Sequence, residues 1–396
     1  MRVPNDLPDD NSGASSPPLD MEAEADLARC GALKHFWYVA CLSTELTKAQ
    51  PLARTIFGTH VVLFRDHHGQ AVALYDRCLH RHARLSAGRV CNGRLGCPYH
   101  GWVYDGTGRC VEIPSLGPTQ HGQGLSTEAH ACAGLKRTPS EVGQVKRFAT
   151  LEQDGLVYVF MGDAPGRALC PAFRIPYWDA PDWCIYYMVT HFPNGVTHLV
   201  ENFMDVPHTV FVHHGWFRKR TQQHVPAVVT RCAGSVCVTY KQDRDVLTGL
   251  GRLLNPWGEA MAHTDRFSIP NITRVDYTFG SRSGFVITSQ CTPIAALESL
   301  VYTAISYRLP VDLPIHLLTR LLRPLIKWYT TQVIRQDVDI MRVQRDGLLN
   351  RPGDATFVST EADLPHTDIE TYRAWLLAGA VGDGPPDVER EIVMWI

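Results

Sequence analysis

Two short stretches each bring a thiol and an imidazole within reach of one small object: Cys78-Leu79-His80-Arg81-His82 and Cys97-Pro98-Tyr99-His100-Gly101-Trp102. One residue separates Cys from His in the first stretch, and two do so in the second. Soft thiolates mixed with imidazoles ligate transition metals, and Cys2His2 is a zinc pattern. Two unlike half-sites also suit a cluster holding two unlike iron atoms. The residues after the second pair bear on the choice. Zinc makes no demand there, whereas Gly101 lets backbone N–H groups approach a cluster sulfur and an aromatic side chain shields it, and both effects tune a redox potential.

A second constellation, Asp205-x2-His208-x4-His213, lies in the run Glu201 to His214. Two imidazoles and a carboxylate on one face of a metal, with open positions opposite, make up the facial triad of non-haem Fe(II) chemistry. Asp205 and His208, three apart, share a face if this stretch is helical. His213 leaves that face on an ideal helix, so Pro207 or a distorted helix end must re-aim it. The adjacent His214 competes for the same role. Phe203, Val206, Val210 and Phe211 surround these residues as pocket wall or as plain core.

Together the two constellations resemble the Rieske non-haem iron oxygenases, over about residue 35 to the C-terminus. The resemblance implies that Cys78 and Cys97 hold one iron of a Rieske 2Fe-2S cluster, and that His80 and His100 hold the other. His82 and Tyr99 stand where the respiratory type carries a further pair of Cys, so the likeness is to the oxygenase type. It further implies a mononuclear Fe(II) bound by His208 and His213, the x4 spacing selecting His213 over His214. Asp205 becomes an electron bridge toward a cluster histidine of the neighbouring subunit, which implies a head-to-tail homotrimer. Asn202 supports the site or is a buried structural residue. The third ligand is then a carboxylate on a late helix, Asp337 or Asp339. Apolar residues recur at helical spacing from Leu317 to Gln344, with a kink expected at Pro324. Val333, Ile334, Ile340 and Met341 place Asp337 on the apolar face, where an uncompensated carboxylate is costly and a metal removes the cost. Arg335, Gln336 and Arg342 place Asp339 on the solvated face. The Gln336-Asp337 pair followed by Ile340 also resembles the family pattern.

For the elements that must position these residues, the resemblance implies an α+β fold: an N-terminal Rieske β-domain, then a catalytic domain with a large antiparallel β-sheet flanked by α-helices. Residues 1–32, rich in Pro, Asp and Ser, read as a disordered leader. The cluster domain is expected over 33–165 and the catalytic domain over 166–396. β-Branched and apolar runs at His60–Phe64 and Ala71–Tyr75, around the turn Asp66-His67-His68-Gly69, predict a hairpin that delivers the chain to Cys78. Strands are predicted at Ser235–Tyr240, Arg274–Phe279, Phe285–Ser289 and Val301–Arg308, and the remainder is predicted to be helical. Residues 117–143 read as an exposed loop.

With 396 residues, a net charge of −2 and 20% charged residues, there is no electrostatic case for nucleic acid as a partner. Twelve irregularly spaced Cys do not make a disulfide framework, and neither a signal peptide nor an 18-residue apolar run is present, so a soluble cytoplasmic protein is expected. The chain shows no dinucleotide fingerprint and no plant-type ferredoxin Cys set, so the electron donor must be another protein, which the resemblance implies is a separate NAD(P)H-dependent reductase, with or without a ferredoxin. The resemblance implies O2-dependent monooxygenation (hydroxylation, demethylation or amine oxidation) of an aromatic or apolar small molecule. Ring cis-dihydroxylation is the runner-up, and an electron carrier without oxygenase activity is the alternative of another class. The basic, Leu-rich stretch Leu317–Trp328 raises a membrane-docked oxygenase as a third reading.

Overall fold

The structure is a computed structural model that describes residues 30–117, 138–216, 223–241, 255–309, 315–350 and 357–395. The expected leader lies outside the described residues except for Cys30 to Ala32. Gly31 and Ala32 open a 3-10 turn, Gly31–His35, with Ala32 and Leu33 buried. Most of the loop expected over 117–143 is also outside the described residues; its last part, Pro139–Val142, forms one helical turn with a Thr138/Glu141 capping box.

The cluster motifs hang from a six-stranded antiparallel sheet. Its members are β1 (Trp37–Leu42), β2 (Leu52–Ile56), β3 (Thr59–Arg65), β4 (Ala71–Tyr75), β9 (Arg147–Gln153) and β10 (Leu156–Phe160), in the order β1-β10-β9-β4-β3-β2. The β3–β4 hairpin turns where Asp66 accepts hydrogen bonds from the backbone N–H of His68 and Gln70, both at 2.9 Å. Gly69 there has φ 79°, a conformation glycine adopts without penalty. His67 and His68 are exposed turn residues.

Inserted between β4 and β9 is a small four-stranded sheet: β5 (Arg89–Cys91), β6 (Arg94–Gly96), β7 (Val103–Tyr104) and β8 (Cys110–Glu112). Its core, including Leu85, Leu95, Tyr104 and Ile113, encloses Cys78 and Cys97.

The second half is built on one eight-stranded antiparallel sheet, in the order β11-β17-β16-β15-β14-β13-β12-β18. The strands are β11 (Cys184–Phe192), β12 (His224–Cys232), β13 (Ser235–Tyr240), β14 (Met261–Ser268), β15 (Ile272–Phe279), β16 (Ser283–Ala295), β17 (Glu298–Arg308) and β18 (Val388–Trp395). The C-terminal strand β18 corrects the expectation that the remainder is helical. Its Val-Glu-Arg-Glu-Ile-Val-Met-Trp sequence alternates and buries Ile392 and Met394, and alternation of that kind is a half-buried strand.

Four helices matter to the site: α1 (Val196–Met204), the single turn α2 (Thr209–Val212), α3 (Ile315–Leu349) and α4 (Leu364–Leu377). Helix α3 runs 35 residues with Pro324 inside it. Helix α4 packs on α1 and on the sheet through Ile369 and Tyr372. Its Asp368, fully enclosed, accepts from Arg231 at 2.8 Å and from Arg390. Among the described residues no helix is long and apolar enough to cross a membrane.

Strand β16 ties the two halves together. Thr292 donates to the carbonyl of Val39 at 2.7 Å, and Gln290 donates to the Tyr158 hydroxyl at 3.0 Å. The carbonyls of Pro293 and Ile294 accept from the backbone N–H of Phe57 and Gly58.

Candidate metal centres and the cavity beside them

The two cluster loops are unequal in sequence but alike in backbone. In the first, Cys78 O accepts from His82 N–H and Cys78 N–H donates to Ala83 O; in the second, Cys97 O accepts from Gly101 N–H and Cys97 N–H donates to Trp102 O. Each loop therefore closes by the same pair of bonds, and each needs a left-handed residue before its exit. Those residues are His82, at φ 55°, and Gly101, at φ 73°. A Cβ at Gly101 would also stand 3.2 Å from Pro114 Cγ.

The thiols point inward and the imidazoles outward. Cys78 and Cys97 are buried, His80 is half-buried and His100 is exposed. The His80 and His100 rings lie 4.5 Å apart, and Trp102 stacks on His80 at 4.7 Å with planes parallel to 1°. His80 Nδ1 is buried without a hydrogen-bond partner. Burial pushes the Cys97 thiol up, while backbone N–H groups of Tyr99 and His100 directed at its sulfur oppose that shift. The Tyr104 hydroxyl lies 3.1 Å from Cys78 Sγ and accepts from Leu79 N–H at 3.1 Å. Two buried sulfurs, two imidazoles and an orphaned ring nitrogen on one small surface fit a Rieske cluster. The aromatic stack and backbone donors supply the shielding and sulfur hydrogen bonds anticipated from Gly101 and Trp102. In the sequence Tyr104 reads only as the start of a hairpin, because no spacing rule ties it to Cys78. Asp76 likewise escapes sequence reasoning: it is buried and accepts from Ser86 N–H at 2.7 Å and Ser86 Oγ at 2.6 Å, fastening the far end of the first loop.

The second constellation does not lie on one helix, which corrects the expectation for Asp205 and His208. Helix α1 ends at Met204, and Asp205 is extended at φ −93°, ψ 93°. Pro207 disfavours helical backbone at Val206, so the chain breaks and restarts. His208 then caps the start of α2 and His213 its end. This break performs the re-aiming expected for His213.

His208 Nε2 and His213 Nε2 are 3.3 Å apart, and Asp337 Oδ1 lies 3.5 Å from the first and 3.1 Å from the second. Asp337, on α3, is buried, whereas Asp339 is largely exposed and pairs with Arg342 at 2.8 Å. His214 is exposed and is not in the group. Asn202 donates to Asp337 Oδ1 at 3.3 Å. The other nitrogen of each imidazole is occupied: His208 Nδ1 by the Asp205 carbonyl, His213 Nδ1 by Gln336 Oε1 at 3.0 Å. Because those partners are acceptors, both Nδ1 atoms carry the proton and both Nε2 atoms present lone pairs. Two lone pairs and a carboxylate oxygen converging this closely repel one another, and a divalent cation removes the repulsion. The residues present fit a mononuclear iron. Gln336 corrects its sequence placement on the solvated face; it turns inward to orient His213.

Burial pushes the Asp337 carboxyl up, but where His208 and His213 carry a proton on Nε2 in place of a metal, their hydrogen bonds and charge outweigh burial and bring the carboxyl down to about 2. Burial likewise opposes a charged His208, and the Asp337 and Asp205 carboxylates overcome it and raise its pKa. Burial pushes the Asp205 carboxyl up. Its side chain keeps 30% exposure. Asn194, fully buried, donates to Met341 O at 3.2 Å and to Gln344 Oε1 at 2.8 Å, which sets the start of α1 against α3.

Beside these three residues lies a cavity of about 220 Å³ between the sheet and α3. Its surface is overwhelmingly apolar, with Phe203 and Val206 from the ligand stretch, Ile287 and Ile305 from the sheet, and Ile326 and Val333 from α3. Val210 is buried and Phe211 exposed, and neither lines it.

Residues 36–129 match the Rieske 2Fe-2S domain family, and residues 196–371 match the vanillate O-demethylase oxygenase C-terminal domain. The chain is 38% identical over 182 residues to a putative toluene-4-sulfonate monooxygenase iron-sulfur subunit of Comamonas testosteroni, covering 46% of each. It is 36% identical over 184 residues to the oxygenase component of dicamba O-demethylase from Stenotrophomonas maltophilia, covering 46% of this chain and 48% of the relative. These matches thus span about half the length of those curated relatives. The solved structure of dicamba monooxygenase bound to dicamba superposes with a TM-score of 0.67 at 24% identity, covering 87% of this chain and 98% of that one. Pseudomonas putida CBB5 NdmA with caffeine gives 0.67 at 23% identity, covering 88% and 92%. The α+β fold, with its cluster sheet followed by a large antiparallel sheet and helices, is that of the Rieske oxygenase structures. With a Rieske domain and an oxygenase C-terminal domain matched in this order, the chain belongs to the Rieske non-haem iron oxygenase family.

Proposed function

We propose that this chain is the oxygenase component of a multicomponent system that monooxygenates an aromatic or largely apolar small molecule. In this reading Cys78, Cys97, His80 and His100 hold the 2Fe-2S cluster, and His208, His213 and Asp337 hold a mononuclear Fe(II). The observation that carries it is the convergence of His208 Nε2, His213 Nε2 and Asp337 Oδ1 at the edge of an apolar cavity. When bound, the cluster would supply electrons one at a time and the ferrous ion would supply O2 activation. The protein's own part is positional. Gln336 and the Asp205 carbonyl hold both imidazoles in the ligating tautomer, Asn202 holds the Asp337 carboxylate, and the apolar walls exclude water and bind substrate.

Asp205 serves as the electron bridge between subunits of a head-to-tail homotrimer. Its partial exposure and the exposure of His100 support that role, since both ends of a crossing between chains must reach the surface. A cytoplasmic reductase, with or without a ferredoxin, is the electron donor. The cluster domain is taken as 33–165 and the catalytic domain as 166–396. Relatives named for monooxygenation and O-demethylation favour one-oxygen chemistry over ring cis-dihydroxylation.

Iron and acid-labile sulfide on anaerobically purified protein, with an EPR spectrum after dithionite reduction, test the reading. About three irons and two sulfides per chain with a Rieske signal are expected. About two irons, with no uptake of added Fe(II), would leave an electron carrier; zinc without sulfide would overturn both centres.

A further inference from the structure

The sheet wall of the cavity carries a buried polar string that the iron site does not use. His263 and Asp265, two apart on β14, both face inward and both line the cavity. They are 1% and 0% exposed. Asp265 Oδ2 accepts from the Tyr240 hydroxyl at 3.0 Å, and Asp265 Oδ1 accepts from His263 Nε2 at 3.0 Å. The imidazole is held flat between two tyrosine rings, Tyr240 at 4.4 Å and Tyr277 at 4.1 Å, each tilted by 17°. These three residues are direct cross-strand partners on β13, β14 and β15. Every degree of freedom of this ring is therefore set by its neighbours. Yet its Nδ1 is buried and has no hydrogen-bond partner.

A buried polar network that stops one partner short is worse than an apolar wall, unless something else completes it. With Nε2–H committed to the carboxylate, Nδ1 presents a lone pair, and the carboxylate behind the ring strengthens it as an acceptor. Among the described residues the lining carries no Lys or Arg that would balance an anionic substrate, and Asp265 lines the cavity beside the imidazole. We infer that His263 is a specificity-determining residue, accepting a hydrogen bond from an O–H or N–H group of a neutral, otherwise apolar aromatic substrate. The inference rests on the cavity being the oxygenase substrate pocket, and it narrows the class: phenol-like or anilide-like molecules over ethers and over carboxylates of the same shape.

Calorimetric titration of the holoenzyme with 4-tert-butylphenol, 4-tert-butylanisole and 4-tert-butylbenzoate tests it. The phenol is expected to bind about tenfold more tightly than either analogue, the worth of one net buried hydrogen bond. The double substitution His263→Phe and Asp265→Asn keeps a flat ring in the stack and leaves no buried carboxylate short of its donor. It should bind phenol and anisole equally. A wild type that binds no probe, or prefers the anisole or the benzoate, overturns the inference, as does a folded double variant that keeps the preference. Should the double variant fail to fold, the wild-type ranking alone decides. Reductase-coupled O2 uptake separates this from the broader reading. A phenol preference in binding with no oxygenated product from any probe would sink the oxygenase assignment and leave the subsite standing, whereas turnover without preference would do the reverse.

Discussion

Asp337 and Asp339 are two residues apart on one helix, and burial separates their roles. Asp337→Asn removes the charge that two lone pairs converge on, and is expected to lose the mononuclear iron while keeping labile sulfide and the cluster EPR signal. Asp339→Asn, on the exposed face beside Arg342, should change neither metal and should shift stability by at most about 0.5 kcal/mol. Gln336→Leu leaves all three ligands in place but frees the His213 ring. Iron affinity should fall about 10- to 100-fold, measured by Fe(II) competition with a chelator. The distinction between the two carboxylates was legible in the sequence, because the apolar residues one turn away on either side of Asp337 define a face. The role of Gln336 was not. A residue one position from a ligand on a helix points about 100° away, and only the irregular path of residues 205–213 brings an imidazole round to meet it.

At the scale of the element, the loops and hairpins were legible wherever local chemistry dictates them. The Asp66-His67-His68-Gly69 turn and the alternation of β13 are of that kind. The break at Asp205 was not legible as such. The spacing of three reads as helix, and the override comes from Pro207 two residues on. Gly101 is the element-level weak point of the second cluster loop. Gly101→Ala should destabilise the loop by about 1–3 kcal/mol, through strain at φ 73° and crowding against Pro114, and should speed cluster loss on heating, followed by the visible absorbance. A second element-level prediction concerns pH. Arg65 on β3 binds Glu152 on β9 through both terminal nitrogens, at 2.6 and 2.9 Å, and that hydrogen bonding holds the Glu152 carboxyl below its ordinary range. A depressed carboxyl contributes stability above its unfolded pKa of about 4.3, which is lost as pH falls through the folded value. The melting temperature of Glu152→Gln should therefore lie below wild type at neutral pH, and the gap should close as the pH drops below about 4.

For the whole molecule, the sequence indicated two successive β-rich halves and the family to which they belong, but not how they are joined. Strand β16 was legible only over Phe285–Ser289, because Gln290 to Ala295 mixes polar and apolar residues and is broken by Pro293; its partners there include β1 and the β2–β3 turn, far away in sequence. The proposed trimer gives a test at this scale. Co-expressed chains carrying Cys78→Ser and His208→Ala, one lacking the cluster and the other the iron, should together restore substrate-dependent O2 uptake that neither has alone. No restoration would confine electron transfer to one chain.

Because β16 serves at once as cavity wall, through Ile287 and Ser289, and as the seam to the cluster sheet, through Gln290 and Thr292, the pocket shares one wall with the joint between the two halves. Side-chain changes on β14, two strands from β16, act on the space the cavity offers. A displacement of β16 moves the mooring of the electron-carrying half as well. Under the proposed function, new substrate preferences are expected from substitution around His263, whereas variants along β16, or at Thr273, which pairs with Ser289, are expected to carry altered coupling between reduction and turnover as a linked trait.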